Sequence, residues 1–166
     1  MPNFQTVILA AGESSRFWPL NQRHKSLIKI MGRPLIWYTI EGLRKVGIKD
    51  IIIVQRPKRD IEEELKNYKF PDSKIRYVIQ RKPEGMGNAL WQTRSLIKDR
   101  FFVMNAERVD GGEIIEKSKI RNPGTRQAGA KVALVGQHTN NPQLFGIMRI
   151  KDGRILEIVE NPKKRK

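Results

Sequence analysis

The segment Leu9-Ala10-Ala11-Gly12-Glu13-Ser14-Ser15-Arg16 leaves an apolar run with small side chains and then offers hydroxyls and a guanidinium. Small residues let backbone N–H groups approach a phosphate chain, and a turn rich in such groups makes an anion-binding concavity. Arg16 supplies a planar fork suited to phosphate oxygens, and Lys25 a compact second positive charge. The chemistry implied is the cradling of a phosphorylated ligand. The segment is not a P-loop, which ends in Gly-Lys-Ser/Thr, nor a Gly-x-Gly-x-x-Gly dinucleotide loop.

Such a loop needs a scaffold, and the chain supplies a regular one. Residues 6–10, 51–54, 75–79 and 101–104 form short runs rich in Val, Ile and Phe, as expected of strands buried on both faces. Between them, residues 35–46, 59–68 and 88–97 place apolar side chains three or four positions apart and read as helices. This alternation predicts right-handed crossovers and a doubly wound α/β sheet, with ligands beyond the carboxyl ends of the strands. The loops after Ala10, Ile79 and Met104 are therefore the places to look. Residues 130–135, 145–150 and 155–159 read instead as antiparallel strands, the last two joined by a turn at Asp152-Gly153. Residues 121–129, containing Asn122-Pro123-Gly124, read as a loop.

With 166 residues, 39% of them hydrophobic and 30% charged, the sequence is that of a globular chain with one core. It contains no cysteine, which excludes disulfides and thiolate metal sites, and the cytoplasm is the expected compartment, with no membrane association. Lys and Arg number 33 against 17 Asp and Glu, so the net charge of +16 favours anionic partners. Those basic residues are spread along the chain except at Lys163-Lys164-Arg165-Lys166, and no aromatic-basic interleaving of the kind that stacks bases is present. Nucleic acid is accordingly a disfavoured partner. His24 and His138 read as surface or loop residues, and Trp18, Trp37 and Trp91 as packing residues.

Leu9 to Gly12, Ser15-Arg16, Pro19-Leu20, Lys25-Ser26-Leu27 and Gly32-Arg33-Pro34-Leu35-Ile36 together resemble the opening signature of the sugar-1-phosphate nucleotidylyltransferases, and a second loop, at Gln80 and Gly85, resembles most closely those acting on glucose 1-phosphate with uridine or thymidine nucleotides. Ser14 stands where that signature carries its second glycine, Ser15 replaces a threonine and Ser26 a common proline. The resemblance implies a Rossmann-like three-layer α/β/α nucleotidyltransferase fold, with a mostly parallel sheet and a C-terminal antiparallel flap. It also implies that residues 9–15 bind the nucleotide and that Arg16 and Lys25 are catalytic. Gln80 and Gly85-Met86-Gly87-Asn88-Ala89-Leu90 resemble the family's base-recognition loop, in which a glutamine reads a pyrimidine edge and the first glycine lies against the ring. A carboxamide offers such an edge both a donor and an acceptor. Phe145-Gly146-Ile147 and Ile158-Val159-Glu160-Asn161-Pro162 resemble the sugar pocket, with Gly146 and Glu160 against the sugar.

The chain departs from the pattern after the fourth strand. There the family carries a glycine-aspartate pair whose aspartate holds Mg²⁺, and this sequence has Ala106-Glu107-Arg108. Glu107 is the expected metal position, a hard oxygen ligand one methylene too long, with Asp110 a substitute. Asn161 replaces a lysine, and the family's domain continues beyond the motif at residues 158–162, so the chain is expected to be one domain lacking the C-terminal part of that catalytic domain. The activity implied is transfer of a nucleoside monophosphate from a nucleoside triphosphate, UTP or dTTP favoured, to a sugar 1-phosphate, with Mg²⁺ as cofactor. The alternative is a non-catalytic nucleotide- or sugar-phosphate-binding module, or an incomplete fragment of such an enzyme. A cytidylyltransferase acting on a phosphorylated alcohol and a homo-oligomeric assembly both remain open on the sequence.

Overall fold

The computed structural model describes residues 4–19, 22–118, 132 and 134–160, with only the backbone of Arg16 and Glu160. Two compact units are present, Met1–Pro123 and Gly124–Lys166.

The first unit is built on four strands, β1 Gln5–Ala10, β4 Asp50–Gln55, β5 Lys74–Ile79 and β6 Phe101–Asn105, in the order β5-β4-β1-β6. All three pairings are parallel, with Gln5 opposite both Asp50 and Phe101 and Asp50 opposite Lys74. Two short strands, β2 Lys29–Ile30 and β3 Arg33–Pro34, form a separate antiparallel hairpin. Four helices complete the unit: α1 Leu35–Lys45, α2 Asp60–Leu65, α3 Gly85–Trp91 and α4 Gly111–Lys117.

Alternate side chains of one strand enter different cores, as the period of two requires. Ile8 and Ala10 of β1 and Ile51 and Ile53 of β4 face Ile36, Ile40 and Leu43 of α1, Ile61 and Leu65 of α2 and Ile115 of α4. Val7 of β1 and Ile52 and Val54 of β4 lie on the opposite face with Ala89 and Leu90 of α3. Both sheet faces are thus covered by helices, which gives the three-layer α/β/α arrangement and explains why the central strands read as continuous apolar runs.

Helix α1 forms because Ile36, Ile40 and Leu43, spaced four and three apart, are each fully buried. It stops at Gly47, whose φ of 80° suits a residue without Cβ. Gly47 N–H donates to Arg44 O (2.9 Å) and Ile48 N–H to Leu43 O (3.0 Å), the two bonds of a Schellman ending.

Helices α2 and α3 differ from the sequence reading. The first spans only part of residues 59–68, and the second starts three residues early, at Gly85, and ends at Trp91, after which the chain continues as turns. Helix α4 has no counterpart in the periodicity because it begins with Gly111 and Gly112, poor helix formers. Both are buried for steric reasons: a Cβ on Gly111 would lie 2.8 Å from Met104 Sδ and one on Gly112 2.1 Å from Gly42 O, so α1 and α4 cross through Gly42 and Gly112.

In the second unit, β7 Gly146–Lys151 and β8 Arg154–Glu160 form an antiparallel hairpin with an irregular register at Arg149/Ile150. The turn is the expected Asp152-Gly153, with φ of 51° and 73°, the left-handed pair that matches strand twist in a tight hairpin. Arg149 faces Glu157 across the ladder in a 3.0 Å ion pair. The strand expected over 130–135 is not seen at its described positions: Val132, Leu134 and Val135 are exposed and lie in no ladder. The rest of that stretch and the loop at 121–129 lie outside the described residues. Among the described residues no helix is long and apolar enough to cross a membrane.

Candidate active site

The strand order runs from β1 outward to β4 and β5, and the chain then returns to place β6 on the other side of β1. The carboxyl ends of β1 and β6 therefore flank the switch point where open α/β sheets bind ligands. Three segments meet there: the loop after β1, the turn carrying Lys25 and the loop after β6.

In the loop after β1, Gly12 and Glu13 are exposed, and Ser15 opens a single 3₁₀ turn, Ser15–Phe17, that contains the Arg16 backbone. The Arg16 side chain lies outside the described atoms. Ser14 precedes the turn in the left-handed region, φ 55° and ψ 30°, which accounts for a glycine at this place in the signature it resembles. Here the side chain has a use: the Lys25 N–H donates to Ser14 Oγ at 3.0 Å. The hydroxyl thus joins the loop after β1 to the lysine turn.

That turn, Lys25–Leu27, is held from below. His24 is not the surface residue that the sequence suggested but is 3% exposed. Its Nδ1 accepts the Ser26 N–H at 3.2 Å, so the ring proton is on Nε2 and the Ser26 hydroxyl also donates to Nδ1, at 2.8 Å. The His24 N–H donates to Asp60 Oδ2 (2.9 Å), which also takes a bond from Arg56 (2.5 Å). Glu64, almost wholly buried, receives Arg23 (2.8 Å) and Lys29 (3.0 Å). Asp60 and Glu64 of α2 therefore clamp both ends of the segment around Lys25.

Burial pushes the His24 imidazole down to about 4, with Glu107 opposing and Arg56 adding to the shift. Burial also works to raise the Asp60 carboxyl, but the His24 N–H and the Arg56 guanidinium outweigh it and hold it below the usual carboxylate value.

The loop after β6 is fixed by Ala106, which is fully buried, donates its N–H to Leu9 O (3.1 Å) and accepts the Thr39 hydroxyl (2.8 Å) on its carbonyl. The next residue, Glu107, forms an ion pair through Oε1 with Lys25 Nζ, the two side chains being 26% and 34% exposed. Its other oxygen, Oε2, is buried with no hydrogen-bond partner. Asp110 is engaged by Arg108 at 3.1 Å.

No group of three His, Cys, Asp or Glu that could hold a metal exists among the described residues. Magnesium commonly rests on one or two carboxylates completed by substrate phosphates and water, and the unpartnered Glu107 Oε2 fits that sparse kind of site.

At the carboxyl end of β5, Gln80 is 5% exposed and its N–H donates to Gln55 O at 2.9 Å. Its carboxamide Nε2 donates to Gly85 O (3.1 Å) and to Asn88 Oδ1 (3.0 Å). Both amide hydrogens are used within the protein, so Gln80 does not offer a ligand the donor and acceptor expected from sequence; only Oε1 is left. Gly85 opens α3 with φ of 87°, a value that favours glycine. Beside it Glu84, Asn88 and Gln92 help to line a cavity of about 230 Å³ with Arg81 and Lys82.

Gly146 and Glu160 pair with each other across the β7–β8 hairpin, which brings the two residues expected at the sugar to the same end of it. They belong to the second unit. Of the tryptophans read as packing residues, Trp18 and Trp91 are exposed (79% and 63%), while Trp37 packs under Arg33, whose guanidinium lies 4.6 Å from the ring centroid.

Known proteins bear on this arrangement. The family model described as nucleotidyl transferase matches residues 5–166. The bifunctional protein GlmU of Methanococcus maripaludis is 31% identical over 160 residues, which cover 95% of this chain and 36% of that protein. A glucose-1-phosphate thymidylyltransferase of Xanthomonas campestris pv. campestris is 27% identical over 167 residues, covering 95% of this chain and 54% of its own. The chain thus spans between about a third and about half the length of these curated relatives. In fold it is similar to the solved structure of HddC from Yersinia pseudotuberculosis complexed with GMP-PN, with a TM-score of 0.73 at 24% identity over 96% of this chain and 70% of that one.

Proposed function

We propose, from the premise that this chain belongs to the nucleotidyl transferase family, that it carries the nucleotide-binding and phosphoryl-transfer portion of a sugar-1-phosphate nucleotidylyltransferase. The observation that carries the reading is the convergence at the switch point of the sheet: Lys25 is bonded through its backbone to Ser14 of the first loop and through its ammonium to Glu107 of the last.

In the reaction proposed, an oxygen of the sugar 1-phosphate attacks the α-phosphorus of a nucleoside triphosphate. A new P–O bond forms, the bond from the α-phosphorus to its bridging oxygen breaks, and the electron pair leaves with pyrophosphate. The attacking phosphate is already ionised at neutral pH, so no general base is needed. Such transfers depend on positioning and charge neutralisation more than on covalent help.

The exposed backbone of residues 9–15 cradles the phosphate chain, and Arg16 steadies the departing pyrophosphate. Lys25 exchanges Glu107 for the α-phosphoryl oxygens, whose charge grows in the transition state. Gln80 and Gly85 receive the base, UTP or dTTP being favoured, and Gly146 and Glu160 the sugar. Glu107 is the residue that would hold Mg²⁺, through the oxygen that Lys25 leaves free; when bound, the ion neutralises phosphate charge. Such a reaction would draw on nucleoside triphosphates of the cytoplasm, which is the compartment proposed for it.

The Lys25–Glu107 pair also favours a second reading, a module that binds nucleotide without turning it over, because the lysine already has a protein counter-ion. Pyrophosphate release from UTP or dTTP that depends on added glucose 1-phosphate and Mg²⁺ separates the two. Turnover establishes the transferase, nucleotide binding without turnover favours the module, and absence of both overturns the proposal.

A further inference from the structure

The carboxamide network around Gln80 goes further than the reading of that residue as a base contact. Asn88 Nδ2 donates to Glu84 Oε2 at 2.9 Å. A carboxylate oxygen only accepts here, so the Asn88 amide is oriented with Oδ1 turned away from Glu84. That oxygen takes Nε2 of Gln80 at 3.0 Å and Nε2 of Gln92 at 3.3 Å. The Gly85 carbonyl, which also only accepts, takes the other hydrogen of Gln80 Nε2 at 3.1 Å. Two groups that cannot donate thus fix the whole ladder, and turning the Gln80 amide over would set its carbonyl oxygen against both Gly85 O and Asn88 Oδ1.

We infer that Asn88 is a specificity-determining positioning residue that locks the Gln80 carboxamide so that it presents only its carbonyl oxygen to a base. This rests on the proposed nucleotide-binding function and deepens it. An acceptor alone selects bases with an imino N–H, which are uracil and thymine at N3 and guanine at N1. It opposes the corresponding ring nitrogens of cytosine and adenine, which carry lone pairs at neutral pH, so those bases can meet it only by shifting to present their exocyclic amino group. The residue types at 80 and 85–90 do not show this, because the selection comes from what the Asn88 side chain does to a neighbour.

The test is equilibrium titration of UTP, dTTP, GTP, CTP and ATP, without sugar phosphate, into the wild-type protein, Asn88→Ala and the double variant Asn88→Asp with Glu84→Gln, with thermal unfolding of each followed in parallel. Leaving a buried acceptor facing an acceptor should cost a base on the order of tenfold or more in affinity. The wild type is expected to bind at least one of UTP, dTTP and GTP tighter than CTP and ATP by about that factor. In Asn88→Ala, where Gly85 O alone still orients the Gln80 amide, the ratio should fall toward one, and Asn88→Asp combined with Glu84→Gln, which keeps an acceptor for Gln80 and places a donor at position 84, should restore it.

A ratio unchanged in Asn88→Ala overturns the role of Asn88 and leaves Gln80 as the base contact. Equal binding of all five nucleotides by the wild type overturns the acceptor-only reading. No binding of any nucleotide overturns the proposed function, and the inference with it.

Discussion

Replacing Ser14 separates what its backbone costs from what its hydroxyl does. At φ 55° and ψ 30° it sits in a region that disfavours any side chain by about 1 kcal/mol relative to glycine. Its Oγ accepts the Lys25 N–H at 3.0 Å, a bond contributing about 1 kcal/mol. In Ser14→Gly the two changes offset, so stability should stay near that of the wild type. In Ser14→Ala the bond is lost while the strained backbone keeps its Cβ, so this variant should be about 1 kcal/mol less stable, or about 3 °C lower in Tm.

Both variants release the Lys25 backbone from the loop after β1. If that bond positions the lysine for the α-phosphoryl group, kcat should fall in each by about five- to tenfold despite their different stabilities. Thermal unfolding and pyrophosphate release at saturating nucleotide measure the two quantities on the same samples. Wild-type turnover in Ser14→Gly with a loss only in Ser14→Ala would mean that activity follows stability, and would refute the positioning role.

His24, held at about 4 against an ordinary 6.5, binds its proton more readily in the unfolded chain, so stability should be full above that ordinary value and decline as pH falls toward the folded one. The full loss is about 3 kcal/mol. Asp60 and Glu64, whose carboxyls are held low, add their losses only below the carboxylate range. In His24→Asn, which keeps an acceptor for the Ser26 N–H, urea denaturation should show this slope above the carboxylate range flattened; a wild-type slope would assign the effect elsewhere. Gly112→Ala should cost about 3 kcal/mol, because its Cβ would fall 2.1 Å from Gly42 O and force α1 and α4 apart; chemical denaturation with a wild-type midpoint would contradict the crossing. Glu107→Gln should weaken Mn²⁺ binding in the presence of UTP by about tenfold or more, read by electron paramagnetic resonance, since it removes the one carboxylate proposed for the cation; unchanged affinity would remove Glu107 as a ligand.

The central strands β1 and β4 were legible because burial on both faces leaves an uninterrupted apolar run. Strands β5 and β6, also expected to be buried on both faces, are only partly buried and were found by their Val, Ile and Phe content. The β7–β8 hairpin was legible because Asp152-Gly153 supplies two left-handed residues in succession. Helix α4 was hidden for the opposite reason. Its glycines answer contacts with Met104 and Gly42 that no local pattern records. The short loops carrying Ser14, Lys25 and Glu107 could be picked out one by one, but their meeting depends on the strand order, which places β6 beside β1. The burial of His24 was illegible because it follows from Asp60 and Arg56, distant in sequence and brought up by α2 and the end of β4. Likewise, a glutamine in a motif promises a donor and an acceptor, and only the positions of Gly85 O and Asn88 Oδ1 show that the donors are consumed.

Turnover by the wild type and by Lys25→Ala, with UTP binding titrated on the same samples, bears most directly on the claim that Lys25 acts on the transferring phosphoryl group. The account predicts measurable UTP binding in both and a turnover at least about a hundredfold lower in Lys25→Ala, the scale of a lost oxyanion donor. Equal turnover in the two proteins would contradict it.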